Sequence, residues 1–247
     1  MNTLFIGRNM INLSEVDSTN NYALHNSGLP EGTVIRALYQ TKGKGQRGKD
    51  WQSEPGKNLL FSIVLKPYFL SPERLISLNK AIALALLQSL KIYLPQHEMA
   101  IKWPNDLFAA DRKLAGILTE IQWSAGHIVS YVAGVGINLL QESFPGINPE
   151  PVSVKMLSEH QPDADALLAA ICSRLEAYYL MLKRMDFESI DNQFNDALWK
   201  RGEVIRYLHG GSEHSGLLLE VDRQGRLLVL EGGEMKYFQT GEIVWVI

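Results

Sequence analysis

The sequence predicts an α+β protein with a small all-β module at its C-terminal end. Three observations predict it. Between residues 33 and 138, runs of β-branched and aromatic residues alternate with turn chemistry around a single long helical stretch. Two amphipathic helical stretches follow, Ala164–Lys183 and residues 187–200. From about Arg201 the chain changes to five short strand patterns separated by glycine-rich turns, which reads as a small barrel.

The elements follow in order. Residues 3–16 read as a strand and its approach. Asp17-Ser18-Thr19-Asn20 supplies helix caps before Tyr22-Ala23-Leu24, with Gly28 as a stop. Residues 33–39 read as a strand that delivers Gln40 and a glycine-rich loop. Asn58–Leu65 reads as a buried strand. Ser71-Pro72-Glu73 opens a helix that runs to about Leu94 and is apolar almost all round. Lys102-Trp103-Pro104-Asn105-Asp106 leads into a hairpin that turns at Asp111-Arg112 and returns over residues 113–123, with Lys113 at the start of its second arm. His127–Asn138 reads as the next strand. Its Gly134 and Gly136 mark a bulge, tight packing or the approach of a ligand. Residues 141–162 are polar and proline-rich, a surface connection. Tyr178, Tyr179 and Phe194 are expected in the core.

The chain has 247 residues, enough for one large domain or one with an appendage. Hydrophobic residues make up 46%, so a substantial core is expected, and a net charge of -3 excludes a protein-wide polyanion binder. The single cysteine, Cys172, excludes an internal disulfide and a multi-cysteine zinc site; in its apolar helical setting it is expected as a buried, inert thiol. No signal-peptide pattern and no membrane-length apolar run occurs, so a cytoplasmic location is expected. His25, His97, His127, His160, His209 and His214 have no metal-ligand spacing and read as surface or core residues. There is no catalytic triad motif and no nucleic-acid-binding signature.

Positive charge is concentrated in Gln40-Thr41-Lys42-Gly43-Lys44-Gly45-Gln46-Arg47-Gly48-Lys49-Asp50-Trp51. Glycine permits positive φ and close backbone approach, so successive N–H groups can turn toward one anion. Lys42, Lys44, Arg47 and Lys49 supply charge, and Trp51 a flat apolar face. The loop reads as a pocket for an anionic, partly aromatic ligand; the bland alternative is a flexible solvated loop. It fits Gly-x-Gly-x-x-Gly and most of the P-loop pattern, but both need a helix directly after the glycines. Here the chain continues Trp51-Gln52-Ser53-Glu54-Pro55-Gly56, which is turn chemistry, and Asp50 stands where the P-loop needs Ser or Thr. Cations beside glycines, with a separate lysine at a hairpin, suit attack on a phosphorus centre, which needs positioning and neutralised charge. Trp51 could stack on adenine or cover a small apolar substrate.

Five blocks occur in one order: Ser18-Thr19-Asn20, the Gln40–Trp51 loop, Lys102-Trp103-Pro104-Asn105-Asp106, Lys113-Leu-Ala-Gly-Ile-Leu-Thr-Glu120, and Gly134-Val-Gly-Ile-Asn138. Together they resemble the bacterial biotin–protein ligases over residues 14–140. The resemblance implies a mixed sheet with flanking helices, related to class II aminoacyl-tRNA synthetases, over residues 1–198, and an SH3-like barrel over residues 199–247. It implies formation of biotinyl-5′-AMP from biotin and ATP with Mg2+. Transfer to a lysine of the biotin carboxyl carrier protein of a biotin-dependent carboxylase would follow. Ser18, Thr19, Asn20 and Gln40 would hold the ureido ring; Gly43, Lys44, Gly45, Gln46, Trp51, Lys113 and Gly116 complete the implied biotin site. Lys44, Arg47, Trp51, Asn105, Lys113 and Asn138 form the implied ATP site, with Arg47 and Lys113 as its catalytic cations. Asp106 would position magnesium or the incoming amine. Relatives often carry arginine where this chain has Lys44, Gln46 and Lys49; lysine keeps the charge without the bidentate fork, and Gln46 loses it. About sixteen residues precede Asp17, so no DNA-binding domain and no nucleic-acid partner are expected. A homodimer is expected because members of the family often dimerise. Rival readings are a lipoate–protein ligase, a non-catalytic biotin- or nucleotide-binding protein, and a nucleic-acid-binding module.

Overall fold

The computed structural model describes residues 2–147, 149–158 and 161–246. A seven-stranded sheet forms from β1 (Met10–Val16), β2 (Val34–Gln40), β3 (Asn58–Leu65), β4 (Met99–Lys102), β5 (Asp106–Ala109), β6 (Arg112–Ser124) and β7 (His127–Asn138). Its order is β1-β2-β3-β7-β6-β5-β4. β1 and β2 run parallel, and the other pairs antiparallel, so the sheet is mixed.

The alternation of strand side chains divides the core between two faces. Ile35, Val64 and Val132 pack with Ala23 of the short helix α1 (Thr19–His25). Val34, Ile63 and Ala133 point the other way, into the main core with α2 (Leu75–Leu90) and α4 (Ala164–Lys183). α2 buries residues on every side, as its unbroken apolar character requires, with α5 (Phe187–Asp196) and the barrel covering what α4 does not. Cys172, Tyr178, Tyr179 and Phe194 are in this core. Proline and glutamate at the expected helix start form a 3-10 turn, Pro72–Arg74, before α2 begins.

Three expectations are corrected. α2 ends at Leu90 rather than Leu94, and α5 ends at Asp196 rather than residue 200. Beyond α5, residues 197–199 peel away to cover the open edge of β4: Ile101 donates to Ala197 O at 2.7 Å and Trp199 donates to Ile101 O at 2.9 Å. The segment after β7 is not wholly a surface connection. Phe144, Val152 and Val154 are buried, and a four-residue helix α3 (Val154–Leu157) starts from the Ser153 cap. His160 lies outside the described residues, as does Ile247.

The C-terminal module is a five-stranded antiparallel sheet from β8 (Val204–His209), β9 (Ser212–Val221), β10 (Leu227–Glu231), β11 (Glu234–Phe238) and β12 (Val244–Val246), in the order β11-β10-β9-β8-β12. It has the SH3-like form. Polar bonds lock it to the main body. Buried Lys80 donates to Asp191 at 2.6 Å and to Asp222 O at 2.9 Å. Trp103 Nε1 donates to Gly225 O at 2.9 Å, and the Asn195 amide pairs with both backbone groups of Val221. Such partners are what make burial of these polar groups tolerable.

Candidate functional site

The cleft lies on the α1 face of the sheet, where strand side chains give way to glycine. Gly116 pairs with Gly136, and Gly134 lies between Ser62 and Leu118. This leaves a bare floor of backbone. The walls are Ser18, Thr19 and Asn20 at one end, Asn105 and Lys113 at the other, and Gln40, Lys44, Gly45, Gln46 and Trp51 across the top.

The first end is a closed polar corner. Ser18 caps α1 by accepting from Asn21 N. Thr19 donates both its N–H and its hydroxyl to Gln40 Oε1, at 2.7 and 3.0 Å. Asn20 Nδ2 donates to Glu120 Oε2 at 2.7 Å and to Leu118 O at 3.2 Å. Ser62 Oγ lies 2.6 Å from Asn20 Oδ1 and 2.7 Å from Thr19 Oγ1. All four of Ser18, Thr19, Asn20 and Ser62 are at most 3% exposed. Gly134 is glycine for a packing reason: an added Cβ would sit 2.3 Å from Asn20 Oδ1.

The opposite end carries the charge. Lys113 Nζ pairs with Asp106 Oδ1 at 2.7 Å. The Asn105 side chain donates to Ile117 O at 2.6 Å, and the Asn105 backbone carbonyl accepts Ile117 N at 3.0 Å, which fastens the turn before Asp106 to β6. Beside it, burial pushes Lys102 down to about 8, with Asp106 opposing the shift. Its ammonium lies 5.2–5.9 Å from the ring centroids of Phe108, Trp199 and Trp245, which favours the charge that burial disfavours.

The glycine loop is a small hairpin rather than a nest of N–H groups. Gly45 N donates to Lys49 O and Trp51 N to Gly43 O, at 2.6 and 2.9 Å. Those donors are therefore used within the loop. Positive φ falls at Arg47 and Gly48, in the 3-10 turn Gln46–Gly48, and not at Gly43 or Gly45. Gly43 is needed for closeness: an added Cβ would be 2.6 Å from Trp51 O. No helix follows the glycines, in keeping with rejection of the dinucleotide and P-loop patterns. The Trp51 ring rests on the glycine floor. A Cβ on Gly136 would lie 2.4 Å from it and one on Gly116 3.1 Å. Lys113 Nζ is 5.6 Å from the ring centroid, and the buried indole N–H has no acceptor among the described residues.

The cleft therefore brings together Ser18, Thr19, Asn20, Gln40, Lys44, Gly45, Gln46, Trp51, Asn105, Lys113 and Gly116. Gly43, Arg47 and Asn138 are not among the lining residues. Arg47 reaches toward the barrel, with Nη2 3.5 Å from Thr240 O. Asn138 is buried and donates to Val152 O at 3.2 Å. Sequence reasoning missed Ser62, whose signal is a lone hydroxyl in an apolar strand, and gave no role to Glu120, the last residue of its block. Among the described residues no group of three histidine, cysteine or carboxylate side chains could hold a metal ion, and no helix is long and apolar enough to cross a membrane.

Residues 13–138 match the model of the biotin/lipoate A/B protein ligase family. The chain is 31% identical to the Escherichia coli Bifunctional ligase/repressor BirA, over 94% of this chain and 72% of that protein. It is 31% identical to the Paracoccus denitrificans Biotin--[acetyl-CoA-carboxylase] ligase, over 88% of this chain and 92% of that one. The structure of the Aquifex aeolicus biotin protein ligase in complex with biotin and ATP superposes with a TM-score of 0.81 at 26% identity, covering 96% of this chain and 98% of that one.

Proposed function

The chain belongs to the biotin/lipoate A/B protein ligase family, and from that premise we propose how its own residues serve an ATP-dependent biotin–protein ligase. In that reaction the carboxylate of biotin attacks the α-phosphate of ATP and pyrophosphate leaves. The amine of a carrier lysine then attacks the acyl carbon of biotinyl-5′-AMP, and AMP leaves.

The observation that carries the assignment of roles is the cleft's polarity. A buried, hydrogen-bonded corner at Ser18, Thr19, Asn20 and Gln40 stands across a glycine floor from the Lys113–Asp106 pair. A urea-like ring needs several placed donors and acceptors, because unpaired polar groups are costly in a buried site. The corner suits that ring, and the indole of Trp51, lying on the floor, offers a flat face on which an acyl or purine group can stack. Lys113 stabilises charge at the carboxylate and α-phosphate. Asp106, freed from Lys113, accepts the proton of the incoming amine. Lys44, Gly45 and Gln46 cover the phosphate side, and Arg47 joins them when the loop leaves the barrel. Asn105 borders the adenine; Asn138 supports that region from beneath through Val152. In the first half-reaction, before the amine arrives, Asp106 would hold magnesium together with the phosphates of ATP, and the ion would neutralise phosphate charge. The Trp51 N–H takes its missing acceptor from the bound intermediate.

The catalytic domain in this reading spans residues 1–198 and the barrel residues 199–247. The acceptor is the biotin carboxyl carrier protein of a biotin-dependent carboxylase. The enzyme works in the cytoplasm, makes no nucleic-acid contact of its own and pairs as a homodimer. The test is ATP–pyrophosphate exchange with magnesium in the presence of biotin, lipoate or no acid. Exchange with biotin alone is expected. Exchange driven by lipoate would move the chain to the lipoate branch, and none with either acid would overturn the ligase reading.

A further inference from the structure

The first limb of the glycine loop is fastened to one short segment, residues 16–21, by bonds of two kinds. In the backbone, Thr41 donates to Val16 O at 2.9 Å and Lys42 to Asp17 O at 2.8 Å. Through side chains, Lys44 Nζ donates to Asn21 Oδ1 at 2.7 Å, and Asn21 Nδ2 donates to Asp17 Oδ2 at 2.5 Å. The other carboxylate oxygen of Asp17 accepts Ser18 N at 2.7 Å. Asp17 thus touches the loop twice, through its carbonyl and through Asn21, and touches the polar corner once, through Ser18.

An amide between an ammonium and a carboxylate has one workable orientation. Its oxygen must face the cation and its NH2 the anion, since the reverse makes both contacts repulsive. Both of Asn21's side-chain bonds are charge-assisted, which makes them the stronger kind. The bond from Asn21 is also the largest cause holding the Asp17 carboxyl below its ordinary value, against the opposing effect of burial. The side chain of Asn21 plays no part in capping α1, because the cap bond uses its backbone N–H. Its removal therefore leaves the helix start intact. The cation it holds, Lys44, and Ser18 both line the cleft.

We propose that Asn21 is a positioning residue: with Asp17 it sets the Lys44 ammonium over the cleft and so retains the acyl-adenylate between the two half-reactions. The inference rests on the ligase reading above. A mixed anhydride is useful only while it stays bound until an acceptor arrives, and a cation fixed beside its phosphate slows its escape.

The experiment measures release of biotinyl-5′-AMP from the wild-type chain and from Asn21→Ala, Lys44→Ala and the double variant, with thermal midpoints and ATP kinetics for each. Asn21→Ala is expected to speed release about tenfold, as loss of a charge-assisted bond does. Its KM for ATP rises by more than its kcat falls, and its thermal midpoint stays with the wild type. In the double variant, loss of Asn21 adds nothing to loss of Lys44, because the two act as one unit. Release at the wild-type rate from Asn21→Ala, or effects of the two substitutions that multiply, would overturn the inference while the ligase reading stands. A wild-type chain that forms no adenylate would overturn both.

Discussion

The polar corner of the cleft and the glycine loop across its top are built differently. At the corner, Ser18, Thr19, Asn20 and Ser62 are at most 3% exposed; Thr19, Asn20 and Ser62 are hydrogen-bonded among themselves and to Gln40 and Glu120, and Ser18 to Asp17 and Asn21. Over the glycine loop, Lys42, Lys44, Arg47, Gly48, Lys49 and Asp50 are all exposed, and Arg47 leans on the barrel instead of the cleft. The corner has its geometry before any ligand arrives. The loop has charge and positive-φ backbone at Arg47 and Gly48, and its cations are held from outside the cleft, Lys44 by Asn21 and Arg47 by Thr240 O. The difference teaches a division of labour. A neutral ring is recognised by a fixed set of hydrogen bonds, because unpaired buried groups would penalise a loose fit. A polyphosphate is recognised by a segment that becomes ordered around it.

The largest expected effect falls on the charged end of the cleft, across the floor from the corner. Lys113→Ala removes the partner of Asp106 and, in the proposed mechanism, the cation nearest the reacting groups. Biotin-dependent pyrophosphate exchange should fall about 10³-fold, the scale of losing one transition-state-stabilising group, while biotin binding measured by calorimetry persists. Two glycines two residues apart then separate corner from loop. Gly134→Ala drives a methyl into the Asn20 side chain, which buried bonds hold in place; chemical denaturation should show a loss of about 2 kcal/mol, typical of overpacking. Gly136→Ala strikes the Trp51 ring instead. There the loop yields, so stability should stay within about 0.5 kcal/mol while affinity for the adenylate falls. Equal destabilisation by the two would erase the distinction. Arg47→Ala comes next. The KM for ATP should rise about tenfold, as for one phosphate-side ion pair, with no change in thermal midpoint.

The smallest effect probes the border of the rigid region. Lys102 titrates at about 8 when folded against an ordinary 10.5. The unfolded chain therefore binds more protons between those values, and stability attributable to this site rises with pH across that window. Below about pH 8 the cost is present in full. Lys102→Met should raise the thermal midpoint by a few degrees at pH 7, and the gain should shrink as the pH approaches 10.

Much of this was legible in the sequence where local pattern and tertiary setting agree. β3, β7 and α4 have the expected limits because an apolar run, a strand between two turns and a capped amphipathic helix each carry their own boundaries. The early end of α5 was not legible, since residues 197–199 leave the helix to pair with β4, a contact nearly a hundred residues away in the chain. At the site, the residue types that chemistry demands were visible in Ser18-Thr19-Asn20 and Lys113. Ser62 and the Asp17–Asn21 pair were not, because their importance comes from strand register and a helical turn rather than from residue type. The glycines of the loop were read as turning successive N–H groups toward an anion, whereas Gly43 serves close packing and the pairing of the two limbs uses the N–H groups of Gly45 and Trp51.

Amide hydrogen exchange tests the contrast most directly. The loop amides of residues 44, 46–48 and 50, which are not bonded within the loop, and those of residues 18–20 and 58–64 would be followed in the free chain and with biotinyl-5′-AMP bound. Loop amides should exchange rapidly in the free chain and slow at least about tenfold on binding, while corner and β3 amides are protected in both states. Loop amides already protected without ligand, or a corner that gains as much protection as the loop, would contradict a prebuilt corner and a ligand-ordered loop.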